Sequence, residues 1–280
     1  PQGDDRSGDS SHMRSYTFRP FGTVVIGFTC FGVVFLLLPT LVLAYYAFQG
    51  GAFFKLVPDE LSLKWFYAAA HNERFLNAAQ RSLLIAAVVT PASVILAVPS
   101  AFVLVRRDFK LKGLVNALIM TPVLVPSVVS GVAFLSLFEN VGLYNGIWRT
   151  ILAMTCFTFP FAVRAIVANL HGIGPIWEEA ATSLGAGKVM VWRTVLLPML
   201  KPGLLAAAIF VFVEAIDNFT ITVFLVGQKS ATLPVEIFQY IADFDDPSVA
   251  AVSIGLVLFS TLLMMAVERV IGLDNLIKYG

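Results

Sequence analysis

The sequence predicts an all-α integral membrane protein, a bundle of six membrane-crossing helices, and three observations predict it. Hydrophobic residues make up 58% of the chain, charged residues only 13%, and the mean hydropathy is +0.83, whereas a soluble domain carries about a quarter charged residues. Six stretches, near residues 21–48, 82–105, 114–138, 150–170, 203–226 and 249–271, are each long and apolar enough to cross a hydrocarbon core of about 30 Å as a helix. The apolar runs are continuous rather than alternating, which excludes a transmembrane barrel with its segments of about ten residues.

An even number of spans places both termini on one side, and the basic residues decide which. Arg6, Arg14, Arg19, Arg106, Arg107, Lys110, Lys112, Arg164, Lys188, Arg193, Lys201, Arg269 and Lys278, thirteen of nineteen, fall on the side of the termini. The opposite side holds six and the acidic loop residues Glu236, Asp243, Asp245 and Asp246. Both termini are therefore expected to be cytoplasmic. The net charge of +1 sums opposed patches on two membrane faces and says little about partners; the hydropathy makes the lipid bilayer one, and no nucleic-acid surface is implied.

Residues 1–19 are polar and rich in Ser, Asp and Gly, and are read as a disordered cytoplasmic tail. Residues 20–280 form one transmembrane domain, without an internal repeat or a shift of composition. The first apolar run exceeds a signal peptide's apolar region and lacks a small-residue cleavage site, so it is expected to remain as the first helix. Residues 49–81 form a polar excursion in which Trp65, Phe66 and Tyr67 read as an anchor at the bilayer surface or as a contact with a partner. Asn77 to Ser82 then open the second helix. Pro91, Pro99, Pro122 and Pro126 lie in the second and third spans, where each removes a backbone hydrogen bond and predicts a kink. Such kinks serve ordinary bundle geometry or a gate. Cys30 and Cys156 fall inside spans and read as packing residues.

Between the fourth and fifth spans, residues 171–202 form a cytoplasmic loop containing helix signals in order. Pro175 suits a first helical position, Glu178 and Glu179 suit the positive end, and Gly185 suits a C-terminal cap. Ala180 and Ala181 give this short helix a face without bulk, and Ile176, Trp177 and Leu184 supply apolar anchors. By itself such a helix could also merely cover the bundle at the interface.

Glu179-Ala180-Ala181, Gly185 and the later Val195-Leu196-Leu197-Pro198 resemble the cytoplasmic signature of ABC importer permeases, with Val195 in place of the more usual Ile. The segment Thr121-Pro122-Val123-Leu124-Val125-Pro126-Ser127 with Gly131, and Thr232 to Tyr240, resemble the polyamine, opine, phosphonate and iron branch of that family. The resemblance implies a type I importer-like bundle of six helices and a coupling helix seated in a cleft of an ATPase subunit. Glu179, Ala180, Ala181, Leu184, Gly185, Leu197 and Pro198 are then the ATPase-docking residues. It further implies two ATPase subunits, a second permease related to this chain but different from it, a periplasmic solute-binding protein, and a bacterial inner membrane.

Glu214 and Asp217, with Asn218 beside them, lie inside the expected fifth helix. An acidic side chain near a bilayer centre costs about 2.5–3.5 kcal/mol, so it faces a bundle interior or a watery path. At spacing i, i+3 the two acids share a helical face. They are candidate path residues for a cationic or polar solute such as a polyamine or an opine; a structural ion pair is the other reading, and a secondary carrier or channel using both acids is the alternative function. No nucleophile with a base, no metal-ligand spacing and no P-loop occurs, and His12, His71 and His171 are scattered. No enzyme activity, metal or cofactor is expected in this chain; ATP and Mg belong to the partner ATPase.

Overall fold

The computed structural model describes residues 19–51, 55–57, 60–227, 229–244 and 246–271. The tail expected for residues 1–19 lies outside these up to residue 18, as do Asp245 and Lys278. Helix α1 (Arg19–Ala47) has 29 residues and an internal Pro39; the chain up to Tyr45 forms one unit and the chain from Tyr46 onward another. In the second unit the order is α2 (Lys64–His71), α3 (Glu73–Arg106), α4 (Lys112–Leu124), α5 (Ser127–Asn140), α6 (Gly146–His171), α7 (Ile176–Ser183) and α8 (Lys188–Val191). A π-helical segment (Trp192–Leu196) leads into α9 (Leu197–Asp217), followed by α10 (Thr222–Leu225), α11 (Leu233–Asp243) and α12 (Ser248–Ile271).

Five helices are long and apolar enough to cross a membrane, and α4 with α5 make a sixth if that bent pair counts as one span. The third span, expected over 114–138 with kinks at Pro122 and Pro126, is broken rather than merely kinked: α4 and α5 meet at 99°. The break follows from Pro126, which disfavours helical torsions in the residue before it, and Val125 is indeed extended, at φ −83° and ψ 133°. By contrast α3 runs through Pro91 and Pro99 as one helix.

The second span also begins earlier than expected. Asn72 ends α2 and caps α3, its side chain accepting from the Arg74 N–H at 2.9 Å, so Asn77 to Ser82 lie inside a helix rather than before one. At 34 residues, α3 measures about 51 Å and outruns a hydrocarbon core of about 30 Å. The fifth span shifts as well. A helix expected at 203–226 instead runs from Lys188 through the π segment to Asp217.

The core lies where α3, α6 and α9 meet. Ile85, Ala86, Val89, Ala97 and Ala101 of α3 pack with Ala153, Met154, Phe157, Ala162, Val163 and Ile166 of α6 and with Leu200, Ala207, Val211 and Ala215 of α9. Lipid tails are as apolar as these side chains, so association relies on close packing of small residues and on interhelical hydrogen bonds. Both are present: the Ser93 and Thr158 hydroxyls meet at 2.9 Å across α3 and α6. A Cβ on Gly203 of α9 would stand 2.5 Å from the Cβ of Asn169 on α6.

Polar staples tie further elements of this unit to the trio. At the start of α3, the Arg74 guanidinium donates to Glu236 at 2.6 Å and Asp243 at 3.0 Å, Arg81 donates to the Ala231 carbonyl at 2.8 Å, and the Ser82 hydroxyl accepts from the Leu233 N–H at 2.8 Å. Together they hold α11 against α3. The Arg149 side chain, buried, donates to the Leu143 carbonyl and closes the turn between α5 and α6.

Gly203→Val is expected to separate α6 from α9 and to lower stability by about 1–3 kcal/mol, the usual cost of overpacking. Thermal unfolding of the detergent-solubilised protein measures it, with Gly255→Val of α12, where a Cβ would meet nothing within 4 Å, as the control expected to change little.

Candidate functional site

The loop following α6 descends through Gly172, Ile173 and Gly174 to Pro175, whose carbonyl accepts from the Glu178 and Glu179 N–H groups at 3.0 and 3.1 Å. Helix α7 follows and ends in a Schellman motif. The Gly185 N–H bonds to the Thr182 carbonyl at 2.9 Å and the Ala186 N–H to the Ala181 carbonyl at 3.1 Å, with Gly185 at φ +87°, the left-handed turn that glycine accepts at least cost. The glycine read as a cap from sequence therefore occupies that position in the structure.

The two alanines of α7 face different ways. Ala181 is half-buried and packs against the core, as does Ala186, while Ala180 is exposed. Successive helical residues stand about 100° apart, so one face free of bulk could not hold both. Ala180 and Glu179 are both exposed. Leu184 is 90% exposed, and Ile176, Trp177, Val189, Met190 and Leu197 near it in sequence are also exposed. Ile176, Trp177 and Leu184 belong to α7 and its C-terminal turn, whereas Val189, Met190 and Leu197 fall in the stretch Lys188–Asp217 that is long and apolar enough to cross a membrane.

Leu197 and Pro198, the far end of the signature, sit where the π segment passes into α9. Pro198 has no N–H for the Thr194 carbonyl and its ring would crowd that carbonyl. The helix widens by one residue: the Leu197 N–H reaches back five positions to the Trp192 carbonyl, and the Thr194 hydroxyl bonds to the Met190 carbonyl at 2.7 Å. Val195 is half-buried and Pro198 exposed.

Behind α7 stands a group that sequence reading counted only for its charge. Arg106, the last residue of α3, donates from Nε to the Glu178 carboxylate at 2.9 Å and from Nη2 to the Ile173 carbonyl at 2.7 Å. No spacing rule connects residues 72 positions apart, so only the fold brings them together.

Glu214 and Asp217 occupy the last turn of α9, not the middle of a helix reaching 226. Asn218 ends the helix: its amide donates to Glu214 Oε1 at 3.0 Å and its carbonyl oxygen accepts from the Ile221 N–H at 3.0 Å. Glu214 is half-buried; Asp217 is exposed and accepts from the Ser260 hydroxyl of α12 at 3.0 and 3.2 Å. The two acids share one helix end but engage different neighbours, both uncharged. Asn218 itself is committed to the turn. Next to it, Ile221 approaches α5, where a Cβ on Gly131 would lie 3.4 Å from the Ile221 Cα and 2.6 Å from the Phe224 ring.

Comparison with known proteins follows this geometry. The family model described as "Binding-protein-dependent transport system inner membrane component" matches residues 89–271. The chain is 25% identical to the spermidine/putrescine transport system permease protein PotC of Escherichia coli (strain K12) over 244 residues, 87% of this chain and 92% of that one. It is 33% identical to a probable molybdenum ABC transporter permease protein of Haloferax volcanii over 243 residues, 82% of this chain and 88% of that one. In fold it is similar to a chain of a bacterial ABC transporter involved in the import of alginate, with a TM-score of 0.73 at 16% identity over 92% of this chain and 99% of that one.

Space is open around Gly185, so its replacement is limited by backbone torsion alone. Gly185→Val is expected to cost about 1–2 kcal/mol at the end of α7 and to speed tryptic cleavage at Lys188, whereas Gly185→Asn, which tolerates positive φ, stays near the unmodified rate.

Proposed function

The chain belongs to the family of binding-protein-dependent transport system inner membrane components, the permeases of ABC importers, and on that premise we propose that α7 is the helix on which an ATPase subunit acts. The observation that carries this reading is the exposed Leu184 at the end of α7, backed by Ile176 and Trp177 and by a cap that holds the helix end in one conformation. Glu179, Ala180, Gly185, Leu197 and Pro198 complete the docking surface, and Ala181 holds α7 to the bundle from behind. Two ATPases supply ATP and Mg, a related second permease completes the path, and a solute-binding protein delivers cargo at the end away from α7. Residues 20–280 then act as one permease domain in a bacterial inner membrane, both termini cytoplasmic.

For the solute, the reading is a small cationic or polar compound such as a polyamine or an opine. Glu214 and Asp217 support it, since two carboxylates at one helix end with uncharged partners offer a favourable place for positive charge. The likeness to a spermidine/putrescine permease points the same way.

Leu184→Asp is expected to abolish co-purification of the ATPase while the chain remains in the membrane; undiminished co-purification would refute docking at α7. Vesicles carrying the whole importer are expected to take up labelled putrescine or spermidine, and Glu214→Gln with Asp217→Asn to slow that uptake about tenfold or more, as befits hydrogen bonds to charged groups of about 1.5–3 kcal/mol. Uptake of molybdate or sulfate instead, indifferent to both substitutions, would refute the cationic path.

A further inference from the structure

We propose that Arg106 is the joint through which movement of α7 reaches the membrane helices, a positioning residue that neither the docking surface nor the path contains. The proposal rests on the reading of α7 as the ATPase-contacting helix. Arg106 ends α3, and its guanidinium holds α7 and the loop that leads into it: the Glu178 carboxylate in the first turn and the Ile173 carbonyl of the preceding loop, at 2.9 and 2.7 Å. The pair is shielded. The Arg106 side chain is 15% exposed and that of Glu178 24%, so a lost partner would leave a charge poorly hydrated. The planar fork of Arg satisfies both acceptors at once, which a Lys ammonium does less well.

A second contact extends the joint. The Phe102 ring, one turn back on α3, lies 6.0 Å from the Arg106 guanidinium and 5.2 Å from the ring of Trp192, the residue that opens the π segment into α9. Displacement of α7 is thus passed to the end of α3 through an ion pair, and to the helix bearing Glu214 and Asp217 through two aromatic rings. The covalent route from α7 to α9 is a poorer lever, because it runs through Gly185-Ala186-Gly187 with Gly185 in the left-handed turn. The packing of Ala181 holds α7 close to the core but offers only a methyl group to push against.

The test uses the full complex with its ATPase in lipid nanodiscs. Cys30 and Cys156 are replaced by alanine, and spin labels are placed at Val103→Cys on α3 and Leu262→Cys on α12, both exposed positions. Distances are compared without nucleotide and with ATP and vanadate. The unmodified complex is expected to show a nucleotide-dependent shift; Arg106→Gln and Glu178→Gln to lose it while ATP is still hydrolysed; Arg106→Lys to keep part of it; and the exchange Arg106→Glu with Glu178→Arg to restore part of it, since the ion pair is remade while the Ile173 carbonyl keeps no donor. Restoration by the exchange separates the ion pair from a folding defect. A full shift in Arg106→Gln, no shift in the unmodified complex, or an exchange that restores nothing would overturn the joint. Failure of the docking reading is distinguishable, because it appears as an ATPase that still co-purifies with Leu184→Asp.

Discussion

The structure depends on how closely α3, α6 and α9 approach one another. Inside a bilayer the hydrophobic effect does not drive helices together, so a bundle needs surfaces that fit and polar groups that meet. Here the fit comes from alanines on all three helices, from Gly203 against Asn169, and from the Ser93–Thr158 hydrogen bond. Everything with a proposed role is fixed by this trio: α7, with the near end of the signature, continues from α6 through one short loop, the π segment and α9 carry its far end and the path acids, and α3 holds α7 at one end and α11 at the other.

Breaks in the helices fall where the backbone has a partner to replace the one it loses. Non-helical backbone at membrane depth survives only when it is buried in protein or faces a watery cavity. At the end of α9, the Asn218 side-chain oxygen accepts from the Ile221 N–H and the Thr222 hydroxyl returns to the Asn218 backbone carbonyl, while the Asn218 amide donates to the Glu214 carboxylate. The acids sit where regular helix gives way to this turn, and Gly131 lets the turn lie against α5. Glu214 is therefore part of the device that ends the helix as well as a candidate for contact with solute, while Asp217, held only by a hydroxyl of α12, is the freer of the two.

Local features were legible in the sequence and long-range ones were not. Apolar run length revealed the spans because hydrocarbon thickness sets it, but not where helices extend into water: α3 starts at Asn72 because of a cap, and a hydropathy reading registers only the part within lipid. Gly185 marked the end of α7 correctly because caps act within four residues, whereas Pro175, expected at the first helical position, stands one residue earlier as the N-cap. Prolines predicted kinks equally at four places, yet the break came at Val125-Pro126, while α3 runs on through Pro91 and Pro99, packed along α6 and α9. The roles of Ala180 and Ala181 differ through helical phase, which their adjacency does reveal once the core side is known. Arg106 with Glu178, and Arg74 with Glu236, pair residues too distant in sequence for any periodicity to join.

Those two ion pairs give α3 a distinct mechanical character. A helix of about 51 Å in a hydrocarbon layer of about 30 Å has both ends in water or headgroups, and α3 bears an arginine near each end. Arg106 grips α7; Arg74 grips α11 through Glu236, which is buried, and Asp243, which is exposed, and lies 5.5 Å from the Tyr240 ring. The two grips differ in their contact with water: the Arg106 and Glu178 side chains are 15% and 24% exposed, whereas those of Arg74 and Asp243 are 40% and 53% exposed, so water screens the second more than the first. A long rod with firm packing along its middle and polar grips at its tips is suited to moving as a body. That is the mechanical requirement for a helix linking events on one membrane face to a polar cleft, lined by Arg74, Arg81, Glu236 and Asp243, near the other.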